Sequence, residues 1–223
     1  MATGRWETLM ARDGHEFSAY LARASGTPRG AIVVLQEIFG VNAHIRAVVE
    51  QYAAAGFLSI APALFDRIGR NIELGYEPRD VELARGYMLQ IERAKSLLDI
   101  SAAINVVKHA GKVATVGYCW GGQLSWVSAG QLPVSAAVGY YASRLWEVMD
   151  RLPACPMLLH FGEQDAGIPL ERVAAVRAAF PQGTYYLYPA GHGFNCGARA
   201  AYHEPSAALA WQRTQDFLKT HIG

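Results

Sequence analysis

Residues 113–122 read Val113-Ala114-Thr115-Val116-Gly117-Tyr118-Cys119-Trp120-Gly121-Gly122, and the fold is decided there. Residues 113–116 form a short β-prone run of the kind found in strands buried on both faces. A cysteine between glycines follows, and the chain then continues as a helix from about Gly121. A strand that turns sharply into a helix with a reactive side chain at the bend is a nucleophile elbow, G-x-nucleophile-x-G, here with Cys where Ser is usual. Glycines suit the bend because backbones approach closely and the nucleophile occupies sparsely populated backbone space. The bend also aims Cys119 at a helix N-terminus, whose positive end favours a thiolate and a developing oxyanion. Alone, the pattern fits a buried structural cysteine equally well, so its surroundings must decide.

Upstream, residues 31–35 (AIVVL) are another continuous apolar run, and residues 57–61 are a further strand stopped by Pro62. Between them residues 42–55 read as a helix with Asn42 as N-cap and Gly56 past its end. Two short segments within residues 6–22 flank Asp13-Gly14, a hairpin signal. Residues 63–92 carry Gly, Pro and charges with a helical piece over 81–91, and read as a rim or lid leaving the sheet edge. Residues 95–109 place Leu97, Leu98, Ile100, Ala103, Ile104 and Val107 at helical spacing, with Gly111 ending the helix. Downstream, strands are expected over 136–141, 157–161 and 184–188, helices over 170–180 and 206–221, and a polar segment holds Arg144 and Glu147. Strands alternating with helices imply an α/β fold, a mostly parallel central sheet with helices on both faces. Without repeats, low-complexity tracts or a linker, residues 1–223 are expected to form a single domain.

The bulk numbers agree with that reading and exclude several function classes. A 223-residue chain that is 52% apolar and 17% charged can fill one α/β core. The formal charge of +1, from 20 basic and 19 acidic side chains, gives no reason to expect nucleic acid or an anionic membrane as partner. The opening MATGRWETLMARDGHEF lacks the apolar run of a signal peptide, and no stretch approaches ~20 uninterrupted apolar residues. Three cysteines with no CxxC pair argue against a disulfide framework or structural zinc, so a cytoplasmic, soluble protein is expected. None of His15, His44, His109, His160, His192, His203 and His221 forms an H-x-x-x-H pair, and no metal is expected.

Two further motifs follow later strands. Gly162-Glu163-Gln164-Asp165 ends the strand at 157–161, and Ala190-Gly191-His192-Gly193-Phe194 follows the strand at 184–188. Nucleophile, acid, histidine is the chain order of an α/β-hydrolase triad. His192 would take the thiol proton and return it to the leaving group, while Asp165 would fix the imidazole tautomer and stabilise its charged form. A loop histidine and a turn aspartate are commonplace singly; three such residues after successive strands in the required order are not. Gln36-Glu37-Ile38-Phe39-Gly40 follows the first long strand, where this fold places its second oxyanion donor. The backbone N–H groups of Ile38 and Trp120 are the expected oxyanion hole, each worth about 3 kcal/mol in the transition state. Glu37 places a carboxylate in that loop. Phe39, Tyr87, Trp120, Tyr140, Tyr141 and Phe194 suggest a small flat-walled pocket, although each could equally fill core.

At these residues the sequence resembles the dienelactone hydrolase (carboxymethylenebutenolidase) family over nearly its whole length. The shared motifs are Gln36-Glu37-Ile38-Phe39-Gly40-Val41-Asn42, Gly117-Tyr118-Cys119-x-Gly121-Gly122, Gly139-Tyr140-Tyr141, Gly162-x-x-Asp165 and Ala190-Gly191-His192-x-Phe194. The resemblance implies an α/β-hydrolase fold, a Cys-His-Asp triad, no cofactor and a small ester or lactone as substrate. It also implies that Glu37 contacts the resting thiol and is redirected when substrate arrives. The sequence departs from the family at the substrate end. Two arginines that grip a substrate carboxylate are expected where this chain has Cys196 and, if Tyr87 is the matching tyrosine, Leu83. Arg79, Arg85 and Arg144 are the candidate replacements. Without them a desolvated carboxylate is costly, so a less anionic substrate, or a different grip, is expected. Cys196 could also pair oxidatively with Cys119. The competing expectation is a non-catalytic or redox-sensing thiol protein on the same scaffold. A monomer or small homo-oligomer is expected.

Overall fold

The computed structural model describes residues 3–223; Met1 and Ala2, where the N-terminal reading begins, lie outside the described residues. The chain resolves into two compact units, one running to Val113 and including Ile222, the other Ala114–His221 with Gly223.

In the first unit β1 (Arg5–Met10) and β2 (Glu16–Ala22) form the antiparallel hairpin expected around Asp13-Gly14. Its turn is closed by the Gly14 N–H donating to the Ala11 carbonyl at 2.9 Å. Arg67 and Lys95 each reach the Asp13 carboxylate at 3.0 Å and hold the tip. β3 (Ala31–Leu35) runs parallel to β4 (Leu58–Pro62), which runs antiparallel to β2. Every residue of β3 and β4 is buried, which is why both lack polar alternation. Between them α1 (Ala43–Ala54) starts at Asn42, whose side-chain oxygen accepts from the Ile45 N–H at 3.3 Å. It lays Ile45, Val48, Val49 and Tyr52 on the strands.

The excursion after β4 begins with a 3₁₀ turn at Leu64–Arg67 and becomes α2 (Pro78–Gln90), entered through its N-terminal proline. Ala84 is the buried residue of α2; most of the helix surface faces water. α3 (Arg93–Val107) packs Ile100, Ala103, Ile104 and Val107 inward and tightens into a 3₁₀ turn at Lys108–Ala110 before Gly111. Its α-helical part therefore stops two residues short of the expected end.

The second unit is built on β5 (Val113–Tyr118), β6 (Ala136–Tyr140), β7 (Met157–Gly162) and β8 (Thr184–Tyr188), side by side and all parallel. α4 (Trp120–Gln131) is buried from Trp120 to Ala129, its polar Gln123, Ser125 and Ser128 included. α5 (Leu170–Ala179) precedes β8, and α6 (Glu204–Ile222) closes the chain with Ala210, Thr214 and Leu218 buried at i+4 spacing. Register aligns Tyr118 with Tyr140, Tyr140 with His160, and Gly162 with Tyr188. Parallel strands in register end at one edge, so the loops carrying Cys119, Tyr141, Asp165 and His192 leave the sheet together. β6 was expected to include Tyr141; it stops at Tyr140 because Tyr141 turns to φ 37°. Among the described residues no helix is long and apolar enough to cross a membrane.

Candidate active site

Cys119 sits at the bend between β5 and α4 with φ 54° and ψ −112°. Such a conformation costs a side-chain-bearing residue about 1–3 kcal/mol and persists only where the surroundings impose it. They do so here. The Cys119 N–H donates to the Tyr140 carbonyl at 3.0 Å, and its own carbonyl accepts from Gly122 at 3.0 Å and Ser143 at 3.1 Å. A Cβ at Gly117 would collide with the Gly121 carbonyl, and one at Gly122 would lie 2.7 Å from the Ala142 methyl. The two glycines are thus required by close approach of strand, helix and the β6 loop.

The β7 and β8 loops are tied together by backbone. Glu163 donates to the Tyr188 carbonyl at 2.8 Å and Gln164 to the Ala190 carbonyl at 3.0 Å. This brings the Asp165 carboxylate to the His192 ring, Oδ2 to Nδ1 at 2.7 Å. The other carboxylate oxygen accepts from the Gly167 N–H at 2.8 Å and the Ile168 N–H at 3.1 Å. The acid is therefore buried, fully bonded and held in one orientation. With Nδ1 on Asp165, the other ring nitrogen of His192 is left for a second partner, and the Cys119 sulfur is the neighbour that acts on the ring electrostatically. Burial alone would push the His192 pKa down. The electrostatic influence of the Cys119 sulfur, reinforced by the hydrogen bond to Asp165, outweighs it and lifts the pKa to about 10. The Tyr141 ring meets His192 edge-on at 5.1 Å and is backed by Phe194 at 5.5 Å.

Other expected site residues fall into two groups. In the second unit, Trp120 opens α4, where helical N–H groups lack intrahelical partners. Tyr141 and Phe194 are buried. Arg144 is a left-handed residue at φ 55° whose exposed guanidinium is held 2.7 Å from Glu147, and its carbonyl accepts from Gln123 at 2.8 Å. In the first unit, Glu37, Ile38 and Phe39 are buried. Their loop is fixed by Gln36, which donates to the Glu37 carbonyl at 3.3 Å and accepts from the Leu64 N–H at 3.1 Å. Phe39 stands edge-on to Tyr76 at 4.7 Å. Tyr87 on α2 is half-buried and edge-on to Phe65 at 5.9 Å, while Arg79 and Arg85 on the same helix are exposed. No disulfide joins Cys119 to Cys196, so the oxidised pair entertained from their spacing is not formed.

Two features escaped the sequence reading. Ser143, in a loop with no motif, places its hydroxyl 3.8 Å from the Cys119 sulfur. His160, in the middle of β7, is fully buried and engaged at both ring nitrogens, to Tyr188 at 2.7 Å and Thr214 at 2.9 Å. Thr214 also meets the Tyr140 hydroxyl at 2.7 Å, and that hydroxyl donates to the Ala210 carbonyl at 3.2 Å. Because a carbonyl only accepts, Tyr140 donates to Ala210, Thr214 to Tyr140 and Nε2–H to Thr214. Buried among uncharged partners, the ring is neutral, and its Nδ1 then accepts from the Tyr188 hydroxyl. Burial, with Arg213 nearby, lowers its pKa to about 3.

Parallel strands ending in a strained strand-to-helix bend, followed in chain order by an acid and a histidine bonded to each other, define an α/β-hydrolase. Residues 17–222 match the dienelactone hydrolase family. The chain belongs to that family. It is 32% identical to the carboxymethylenebutenolidase of Pseudomonas putida over 222 residues, covering 95% of this chain and 94% of the relative. It is 33% identical over 242 residues to a Yersinia pestis protein provisionally named a carboxymethylenebutenolidase, covering 96% of this chain and 88% of the relative. Among solved structures, a provisionally named dienelactone hydrolase from Klebsiella pneumoniae superposes with a TM-score of 0.83 at 29% identity, covering 95% of this chain and 98% of that one.

Proposed function

We propose that the chain hydrolyses a small ester or lactone with Cys119 as nucleophile, His192 as general base and acid, and Asp165 as the group that orients and charges His192. The observation that carries this reading is the His192 ring, bonded to the Asp165 carboxylate at 2.7 Å and raised in pKa by the sulfur of a cysteine strained at φ 54°. His192 takes the thiol proton, and the thiolate attacks the substrate carbonyl carbon. The tetrahedral intermediate collapses to a thioester as the alkoxide leaves with the proton from His192. Water, deprotonated by His192, then attacks the thioester, releasing the carboxylic acid and the thiolate. The oxyanion is assigned to the backbone N–H groups of Trp120 and Ile38. The Trp120 assignment rests on its place at the start of α4; that of Ile38, and the role of Glu37 as guard of the resting thiol, rest on the Gln36–Gly40 motif and family membership. With this assignment residues 1–223 act as one domain, and a single cooperative unfolding transition is expected.

The exposed arginines of α2 and the Glu147-paired Arg144 favour a substrate less anionic than dienelactone. A neutral aryl ester and dienelactone compared by kcat/KM test that point; a large preference for dienelactone contradicts it. Replacing Cys119 by Ala tests the mechanism. Ester turnover should be abolished with the circular dichroism spectrum unchanged, and activity retained in a folded variant rejects the cysteine mechanism.

A further inference from the structure

We propose that the Ser143 hydroxyl, which contacts the Cys119 sulfur, stabilises the thiolate. The proposal rests on the cysteine mechanism above and adds a catalytic residue to it. Ser143 lies three residues beyond the end of β6, and its backbone is fixed because its N–H donates to the Cys119 carbonyl at 3.1 Å. That tether leaves the serine χ1 rotor as the main freedom of the side chain, and the hydroxyl stands 3.8 Å from the sulfur, within reach for a large, polarisable acceptor.

A hydroxyl serves both protonation states, unequally. Against the thiol it exchanges only weak bonds, accepting from S–H or donating to a poor neutral acceptor; once the sulfur is ionised it donates to a charged one. A donor bond to a charged acceptor is roughly twice as strong as a neutral one, so the same contact favours the ionised form. His192 cannot supply this continuously, since it must turn its proton toward the leaving group during thioester formation. Ser143 has no proton to give up and keeps its donor on the sulfur whenever the charge returns there, at the end of each turnover.

The test is the pH profile of Cys119 alkylation by iodoacetamide, read on the Cys119 peptide by mass spectrometry so that Cys155 and Cys196 do not contribute. In Ser143→Ala the profile should move up by about one pH unit, giving roughly tenfold slower labelling on the acid limb and little change on the alkaline plateau. Ser143→Thr, which keeps a hydroxyl, should restore the wild-type profile; a purely structural role for the serine would move rates without moving the midpoint. A Ser143→Ala profile superimposed on wild type, or a Ser143→Thr profile displaced as far as that of Ser143→Ala, overturns the proposal. Alkylation needs no ester turnover. If Cys119→Ala hydrolysed esters normally the cysteine mechanism would fall, whereas an unshifted alkylation profile would remove Ser143 alone.

Discussion

His160 and His192 belong to the same unit and are both drawn away from bulk water, yet their proton affinities move in opposite directions, to about 3 and about 10. Burial opposes the imidazolium in both. At His160 it meets only neutral hydroxyls, Tyr188 and Thr214, and a repelling Arg213. At His192 it meets the Cys119 sulfur and the Asp165 carboxylate. The difference teaches that withdrawal from water alone does not set the charge of a side chain; the partners facing it decide whether burial prevails. One histidine becomes a neutral rivet between β7 and α6, the other a ring that favours its charged form at the sheet edge.

The contrast can be broken most severely at Asp165. Asp165→Asn keeps the shape but removes the carboxylate charge, so the His192 pKa should fall and kcat for an activated ester should drop by about 10⁴-fold, measured beside an unchanged circular dichroism spectrum. The next effect is on stability against pH. His160 stays neutral when folded but titrates near 6.5 when unfolded. The unfolded chain therefore binds the extra proton, and the stabilisation present above pH 6.5 is lost as pH falls toward 3. The slope from this group is up to about 1.4 kcal/mol per pH unit. Urea unfolding from pH 7 to pH 4 should show it, and His160→Gln should flatten it. His192 contributes in the reverse sense: stability fully present below pH 6.5 and lost as pH rises through about 10. The smallest effect is expected from Tyr188→Phe, which leaves Nδ1 of His160 without its donor. It should lower stability by about 1–3 kcal/mol, read as a fall in Tm, with ester turnover within about twofold of wild type.

These two histidines also mark what was legible in the sequence. His192 could be found because its neighbours form a motif and its place after the last strand is fixed by the order of an α/β-hydrolase. Gly117 and Gly122 were legible for the same reason: backbone approach leaves a mark in residue type. His160 looked like one more residue of MLLHFG, because its partners lie on β8 and α6 and become visible only when those elements dock. Ser143 was silent too, sitting in a loop whose path is set by Tyr141 and Arg144 at positive φ rather than by glycine or proline. The segment after β6 therefore read as merely polar. Boundaries slipped where a local geometry ended the element, at Tyr141 after β6 and at the 3₁₀ turn after α3.

Titration of the His192 ring by NMR, in wild type and in Cys119→Ala, bears most directly on the claim that the Cys119 sulfur and the Asp165 carboxylate together hold this imidazole charged. Wild type should remain an imidazolium at pH 8, with a midpoint near 10, and the variant midpoint should fall by at least about one unit. A wild-type midpoint near the ordinary 6.5, unmoved when the sulfur is removed, would contradict the account.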